Sequence, residues 1–303
     1  MSRLTRETPA RSEFQDAFDP SVRWLIEQRY GQSESKGPSG GAPGAVAATG
    51  GSNTLALLLS HRSVRRYLPT ALDPHVLELL VAAAQSAASS SNLQLWSVVS
   101  VEDPENRRAL SELAGNQAHV RECPLFLVWI ADLHRARELA RARGIASDGL
   151  NYLESFLVAA VDAALAAQNA VVAAESMGLG TVYIGALRNH PERVAQILGL
   201  PAQAFALFGL CVGWPDTATA TAVKPRLPQA VVLHRDRYGL TESEHELVGH
   251  YDAVSRHFYT TQQLSNHEGG WSWHSARRLA TAAALNGRHV LREALTRLGF
   301  PLE

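Results

Sequence analysis

Glu175-Ser176-Met177-Gly178-Leu179-Gly180-Thr181-Val182-Tyr183-Ile184-Gly185 is the stretch that decides the fold class. It closes a long apolar helix, read over Asn151–Met177, and passes through two glycines into a strand at Thr181–Ile184. A dinucleotide-binding fingerprint needs the opposite order, strand then glycine loop then helix. Gly178 and Gly180 therefore read as a helix stop. Working outward, Trp96–Val101, Leu125–Ile130 and Ala204–Trp214 read as strands, and the nearly continuous apolar run at Leu125–Ile130 suits a buried position. Val231–His234 reads as a further short strand. Helices are expected at Thr54–Ser60, from the Asp73-Pro74 start, at Pro191–Leu198, and in the tail at Glu242–Tyr259 and Ser275–Leu298, with a break at Gly269-Gly270. No regular strand-helix-strand beat runs through them, so the class is α+β in layers. The long helix is apolar all round, which predicts that it is covered on most sides, as a core element or at a subunit interface.

The chain has 303 residues and a formal charge of −1, enough for one large domain or two small ones and without general attraction for nucleic acid or an anionic membrane. Asp162, Gln168 and Asn169 interrupt the most apolar stretch, which argues against a membrane span. The N-terminus lacks the apolar core of a secretory signal. Two cysteines, Cys123 and Cys211, form no CxxC and no metal-ligand spacing, which fits a reducing, cytoplasmic setting. Residues 1–52 differ from the rest: Val22–Tyr30 can form one amphipathic helix, and Gly31–Ser52 reads as a flexible linker. The folded body is expected over 53–303. Composition leaves open whether 1–52 is a partner-binding arm or a leader.

Two basic segments stand out. His61-Arg62-Ser63-Val64-Arg65 and Lys224-Pro225-Arg226-Leu227-Pro228 each offer guanidinium forks or an ammonium to an anion, though either alone also suits a solvated face. Lys36 and Lys224 are the only lysines. Between the basic segments lie a serine-rich turn at Ser89–Asn92 and a polar stretch, Gly115-Asn116-Gln117-Ala118-His119, that is either a plain loop or a mouth presenting Gln117 and His119 to a ligand. Tyr183-Ile184-Gly185 ends a strand where glycine allows a flat ligand, or a bulge, to approach. His245 and His250 are five residues apart, which sets their rings about 140° apart on a helix and does not suit a shared metal. Cys123 and Cys211 sit in apolar runs and read as core.

In order, His61–Arg65, Ser89-Ser90-Ser91-Asn92-Leu93-Gln94, Gly115–Val120, Ala167-Gln168-Asn169-Ala170, Glu175–Gly180, Tyr183–Gly185, Leu207–Cys211, Gly213-Trp214-Pro215 and Lys224–Pro228 resemble the FMN-dependent nitroreductase family. The branch that the order most resembles holds the major oxygen-insensitive NADPH nitroreductases and the NADPH–flavin reductases. The resemblance spans about Asn53–Glu303. It implies a central sheet flanked by helices and a homodimer with FMN at the interface. It also implies a C-terminal excursion from about residue 216 that crosses the partner.

Carried over by position, His61, Arg62, Ser63, Arg65, Lys224 and Arg226 would hold the phosphate and pyrimidine edge of the flavin. Ser89, Asn92 and Gln117 would touch ribityl or ring atoms, and Tyr183, Ile184 and Gly185 would lie along the ring. The implied reaction is ping-pong: hydride from NADPH or NADH to FMN, then to a nitroaromatic, quinone or flavin acceptor. No catalytic side chain and no metal is expected. One departure concerns the loop that is arginine-rich in this branch. Here it reads Ser265-Asn266-His267-Glu268-Gly269-Gly270-Trp271-Ser272. Glu268 repels a 2′-phosphate and suits a ribose hydroxyl, which predicts weakened NADPH preference or NADH use, with Arg277, Arg278 and Arg288 as possible substitutes. The rival readings are a flavin-binding redox sensor or storage protein without reductase turnover, and a basic-patch protein with no flavin.

Overall fold

The structure, a computed structural model, describes residues 20–31, 53–219, 221–239, 242–262 and 269–303. They fall into two units. One takes its residues from 63–220 and 277–303, the other from 1–62 and 221–276.

The first unit is built on an antiparallel sheet of β1 (Trp96–Ser100), β2 (Leu125–Asp132), β3 (Gly180–Ile184) and β4 (Ala204–Gly213), in the order β1-β2-β4-β3. Phe126 pairs with Cys211 and Tyr183 with Leu210. Every pairing among the four strands is antiparallel, as the missing strand-helix-strand beat requires. β2 and β4 are central, and apart from Asp132 at the end of β2 they are apolar because both faces are covered. Phe126, Val128 and Ile130 point into one layer with Leu110, Val120, Ile184 and Val194. Leu125, Leu127 and Trp129 point into the other, against Leu80, Ala166, Ala170 and Val171.

The long helix spans Leu153–Ser176 and stops at Gly178, whose φ is +82°. Its alanines at 159, 163, 166, 167, 170 and 174 are buried, which lets it lie close to its neighbours. Its opposite side is not covered by the described residues: Leu153, Leu157, Val161 and Leu165 are exposed. Of the coverage on most sides expected from apolarity, the described residues supply one face. At the sheet edge, Val64 donates its N–H to the Thr181 carbonyl at 2.9 Å, and Ser63 bridges Thr181 in parallel. A Cβ on Gly180 would meet Val64 at 2.7 Å, so glycine there is what lets the segment dock.

In the second unit, helix Pro20–Arg29 packs Leu25, with Trp24 and Ile26, against Ala56, Leu55 and Leu59 of helix Asn53–Leu59. Gly31 ends that helix at φ +66°, where a Cβ would fall 2.2 Å from Val254. Helix Glu242–Thr261 follows the expected range closely. Residues 32–52, read as a linker, lie outside the described residues.

Three local readings change. The Asp73-Pro74 start caps a turn, with Asp73 accepting from the His75 N–H at 2.8 Å, and the helix itself begins at Val76. Residues 229–232 form a short helix rather than contributing to a strand, because no neighbouring strand pairs with Val231–His234 among the described residues. The Ser275–Leu298 helix is broken: Gly270–Arg278 and Leu291–Arg297 are separate, with Asn286 and Gly287 at positive φ between them. The expected break at Gly269-Gly270 falls between helix Glu242–Thr261 and helix Gly270–Arg278, which Gly270 opens. Helix His134–Ala142 was not anticipated.

Candidate active site

The His61–Arg65 motif straddles the boundary of the two units, with His61 and Arg62 in one and Ser63 and Arg65 in the other. Each unit holds its own set of candidate residues.

In the sheet unit, the Ser89–Asn92 turn is organised by a residue that sequence reading treated only as an interruption. Asp162 is 2% exposed and accepts from Ser89 Oγ at 2.7 Å, Ser90 N at 3.2 Å and Leu95 N at 3.1 Å. Ser89 in turn accepts from the Gln94 N–H at 2.8 Å. This network stabilises positive φ at Ser91, Asn92 and Gln94, a conformation that costs energy for residues with a side chain. The turn therefore presents Asn92 to solvent with its carbonyl oxygen held by Gln94 Nε2 at 3.1 Å, while the Ser89 proton is committed to Asp162. No local pattern signals Asp162, since its partners, the Ser89 hydroxyl and two main-chain N–H groups, lie far away in sequence.

Gln117 precedes a one-turn helix, Ala118–Glu122, and donates to the Ala114 carbonyl at 2.7 Å. Its side-chain oxygen is left to other partners. His119 is half-buried, and desolvation, helped by the charge of Arg65, holds its pKa below the ordinary 6.5. Arg65 and Ser63 are exposed, as an anion-binding role needs.

Tyr183, Gly185, Gln168, Arg188 and Phe208 line a cavity of about 370 Å³. The Tyr183 ring stands edge-on to Phe208 with centroids 5.2 Å apart, and its hydroxyl donates to Gln168 Oε1 at 3.4 Å. Burial raises the Tyr183 pKa, so the phenol stays protonated. Ile184 points away into the core and is 1% exposed, so only its main chain can meet a ligand. A Cβ on Gly185 would come 3.3 Å from Arg188 Nη2 and narrow the cavity. Arg288 donates to Asn189 Oδ1 at 2.9 Å, and Arg278 donates to the Ala284 carbonyl, so both are engaged within the chain. Cys123 and Cys211 are free thiols in the core.

In the other unit, Lys224 and Arg226 line a cavity of about 460 Å³ with Tyr30, Tyr251, Tyr259 and Trp271. Lys224 Nζ donates to the Tyr259 hydroxyl at 2.9 Å and lies 4.9 Å from that ring's centroid. Tyr251 donates to the Pro225 carbonyl at 2.8 Å, fixing the turn between the two basic side chains. Arg62 Nε donates to Thr221 Oγ1 at 2.9 Å, which links the first basic segment to the stretch that leads into the second. Residues 263–268, including Ser265, Asn266, His267 and Glu268, lie outside the described residues. Among the described residues no cluster of metal-ligating side chains exists, and His245 and His250 are carried on the helix Glu242–Thr261.

Residues 58–214 match the nitroreductase family, and residues 224–303 match its C-terminal domain. The chain belongs to the nitroreductase family. It is 41% identical over 222 residues to a Bacillus subtilis FMN reductase (NADPH), an alignment covering 73% of this chain and 88% of that protein. It is 38% identical over 250 residues to a second B. subtilis protein, an FMN reductase [NAD(P)H], covering 81% and 97%. The solved structure of a nitroreductase from B. subtilis superposes with a TM-score of 0.76 at 36% identity, covering 83% of this chain and all of the other. The α+β class with helices on both faces of the sheet agrees with that membership.

The residues present suit the flavin that the family implies. Arg65 and Arg226 are exposed cations, Lys224 and Arg226 border a cavity, and Gly185 lines a second cavity that a Cβ would narrow.

Proposed function

We propose that this nitroreductase is an NAD(P)H-dependent FMN oxidoreductase that acts as a homodimer in the cytoplasm, with nitroaromatic, quinone or free flavin acceptors. The observation that carries the reading is the second basic segment, where Lys224 and Arg226 border a large aromatic-lined cavity and share a unit with His61 and Arg62. His61, Arg62, Ser63, Arg65, Lys224 and Arg226 would bind the phosphate and the pyrimidine edge, where fixed positive charge favours the reduced, anionic flavin. Ser89, Asn92 and Gln117 would meet the ribityl chain or ring edge. Tyr183, the Ile184 main chain and Gly185 would flank the ring. FMN supplies the redox chemistry when bound, taking up hydride from a nicotinamide and giving it to an acceptor.

The protein side chains position these molecules, and no side chain is assigned a catalytic role. Donor and acceptor use the open site in turn. The uncovered stripe of Leu153, Leu157, Val161 and Leu165 supports a second copy as the cover. Residues 53–303 would be the catalytic body, with the segment from about 216 reaching the partner. The acidic Glu268 in place of arginines supports use of NADH as well as NADPH.

Anaerobic absorbance of the purified protein tests this reading. Flavin bands that bleach on adding NADH or NADPH are expected, and comparison of kcat/KM for the two nucleotides checks the Glu268 argument. A tenfold or greater preference for NADPH would refute that argument. Flavin bands that persist with both nucleotides would instead support a redox sensor or storage protein.

A further inference from the structure

The helix Pro20–Arg29 precedes residue 58, where the match to the family begins, yet it touches both basic segments. Arg29 ends this helix and is 7% exposed. Its Nη1 donates to the Lys224 carbonyl at 2.9 Å, and its Nη2 donates to the Leu59 carbonyl at 2.7 Å and the His61 carbonyl at 3.1 Å. Its own carbonyl accepts the Arg226 N–H at 2.8 Å. One residue therefore binds the main chain at His61, Lys224 and Arg226, which are the positions assigned to the flavin phosphate and pyrimidine edge.

A rigid guanidinium fork holds several carbonyls in one fixed arrangement, which an ordinary packing contact does not do. The placement also adds a positive charge beside His61, Arg62, Lys224 and Arg226 and so raises the local preference for an anion. Tyr30, the next residue, lines the cavity that contains Lys224 and Arg226. We infer that the N-terminal helix is a positioning element of the FMN site, with Arg29 clamping the two basic segments in register for the phosphate. The inference rests on the FMN-site reading above. It also gives residues 20–31 a role that composition alone left open.

The test is a flavin-fluorescence titration of full-length apoprotein with FMN and, separately, with riboflavin, which lacks the phosphate. Arg29→Met should weaken FMN binding by roughly tenfold or more, on the scale of one lost charge-assisted contact. Riboflavin keeps the pyrimidine edge and lacks only the phosphate, so its binding should weaken less than that of FMN and the FMN-to-riboflavin affinity ratio should fall. Arg29→Lys, which keeps the charge but not the fork, should fall between wild type and Arg29→Met, and it carries the test if Arg29→Met does not fold. An FMN-to-riboflavin affinity ratio that stays at the wild-type value would overturn the inference, whether both affinities are unchanged or both fall together. A wild-type chain that binds no FMN would remove the site reading itself, and the inference with it.

Discussion

The sheet and the basic segments of the second unit are held by different means. In the sheet, main-chain ladders run through strands whose side chains are buried on both faces, and Trp129, Phe126 and Phe205 are almost completely enclosed. Around Lys224, order comes instead from single polar groups reaching main-chain carbonyls: Arg29 to Leu59, His61 and Lys224, and Tyr251 to Pro225. Apolar burial is non-directional and sums over many atoms, so it fixes a scaffold. Hydrogen bonds are directional and few, so they fix particular atoms and can be lost one at a time. A change in the sheet should therefore lower stability before it alters ligand selectivity, and a change around Lys224 should do the reverse.

Substitutions can break or sharpen this contrast. The largest effect is expected from Trp129→Ala, which empties a fully enclosed site and should cost about 4 kcal/mol in urea unfolding, with the FMN-to-riboflavin ratio of the folded fraction unchanged. Asp162→Ala comes next. It strands the Ser90 and Leu95 N–H groups and the Ser89 hydroxyl, and should cost roughly 3 kcal/mol by the same measurement. Because the serine turn is shaped by Asp162, this variant should also weaken riboflavin and FMN alike, which marks it as a ring-side rather than a phosphate-side change.

Gly31→Ala tests the other region. It places a side chain at positive φ against Val254 and should cost about 1–2 kcal/mol. By displacing the end of the Arg29 helix, it should lower FMN affinity more than riboflavin affinity. A loss of stability with full FMN selectivity would separate that helix end from the site. The smallest effect is expected from His119. Its folded pKa lies below 6.5, so the unfolded chain takes up the proton first as pH falls. The stability it contributes is complete above 6.5 and is lost progressively as pH falls from that value through the lower folded pKa. His119→Gln should flatten the acid limb of the stability profile, seen by thermal melts between pH 7 and pH 5. An unchanged limb would show that other groups set it.

Much of the sheet was legible because a strand buried on both faces leaves a continuous apolar run, as at Leu125–Asp132 and Ala204–Gly213. The glycine stop at Gly178 was equally plain, since positive φ has a residue preference. The reading failed where tertiary partners decide. Val231–Val232 has β-branched side chains but no strand beside it, so it helps form a helical turn. Asp162 looked like an interruption of an apolar helix because nothing local reveals that it accepts from Ser89, Ser90 and Leu95. Arg29 was one arginine of many for the same reason, its acceptors being carbonyls contributed by distant segments. Of the candidate site, the basic segments and the strand end were visible as residue types in order, whereas the groups that hold them in place were not.

The most direct measurement is a titration of FMN into apoprotein of the wild type, Arg65→Ala and Arg226→Ala. Each variant should bind FMN roughly 10- to 150-fold more weakly than the wild type, the effect of one lost charge-assisted phosphate contact. Wild-type FMN affinity in both variants would contradict the assignment of the two basic segments to the flavin.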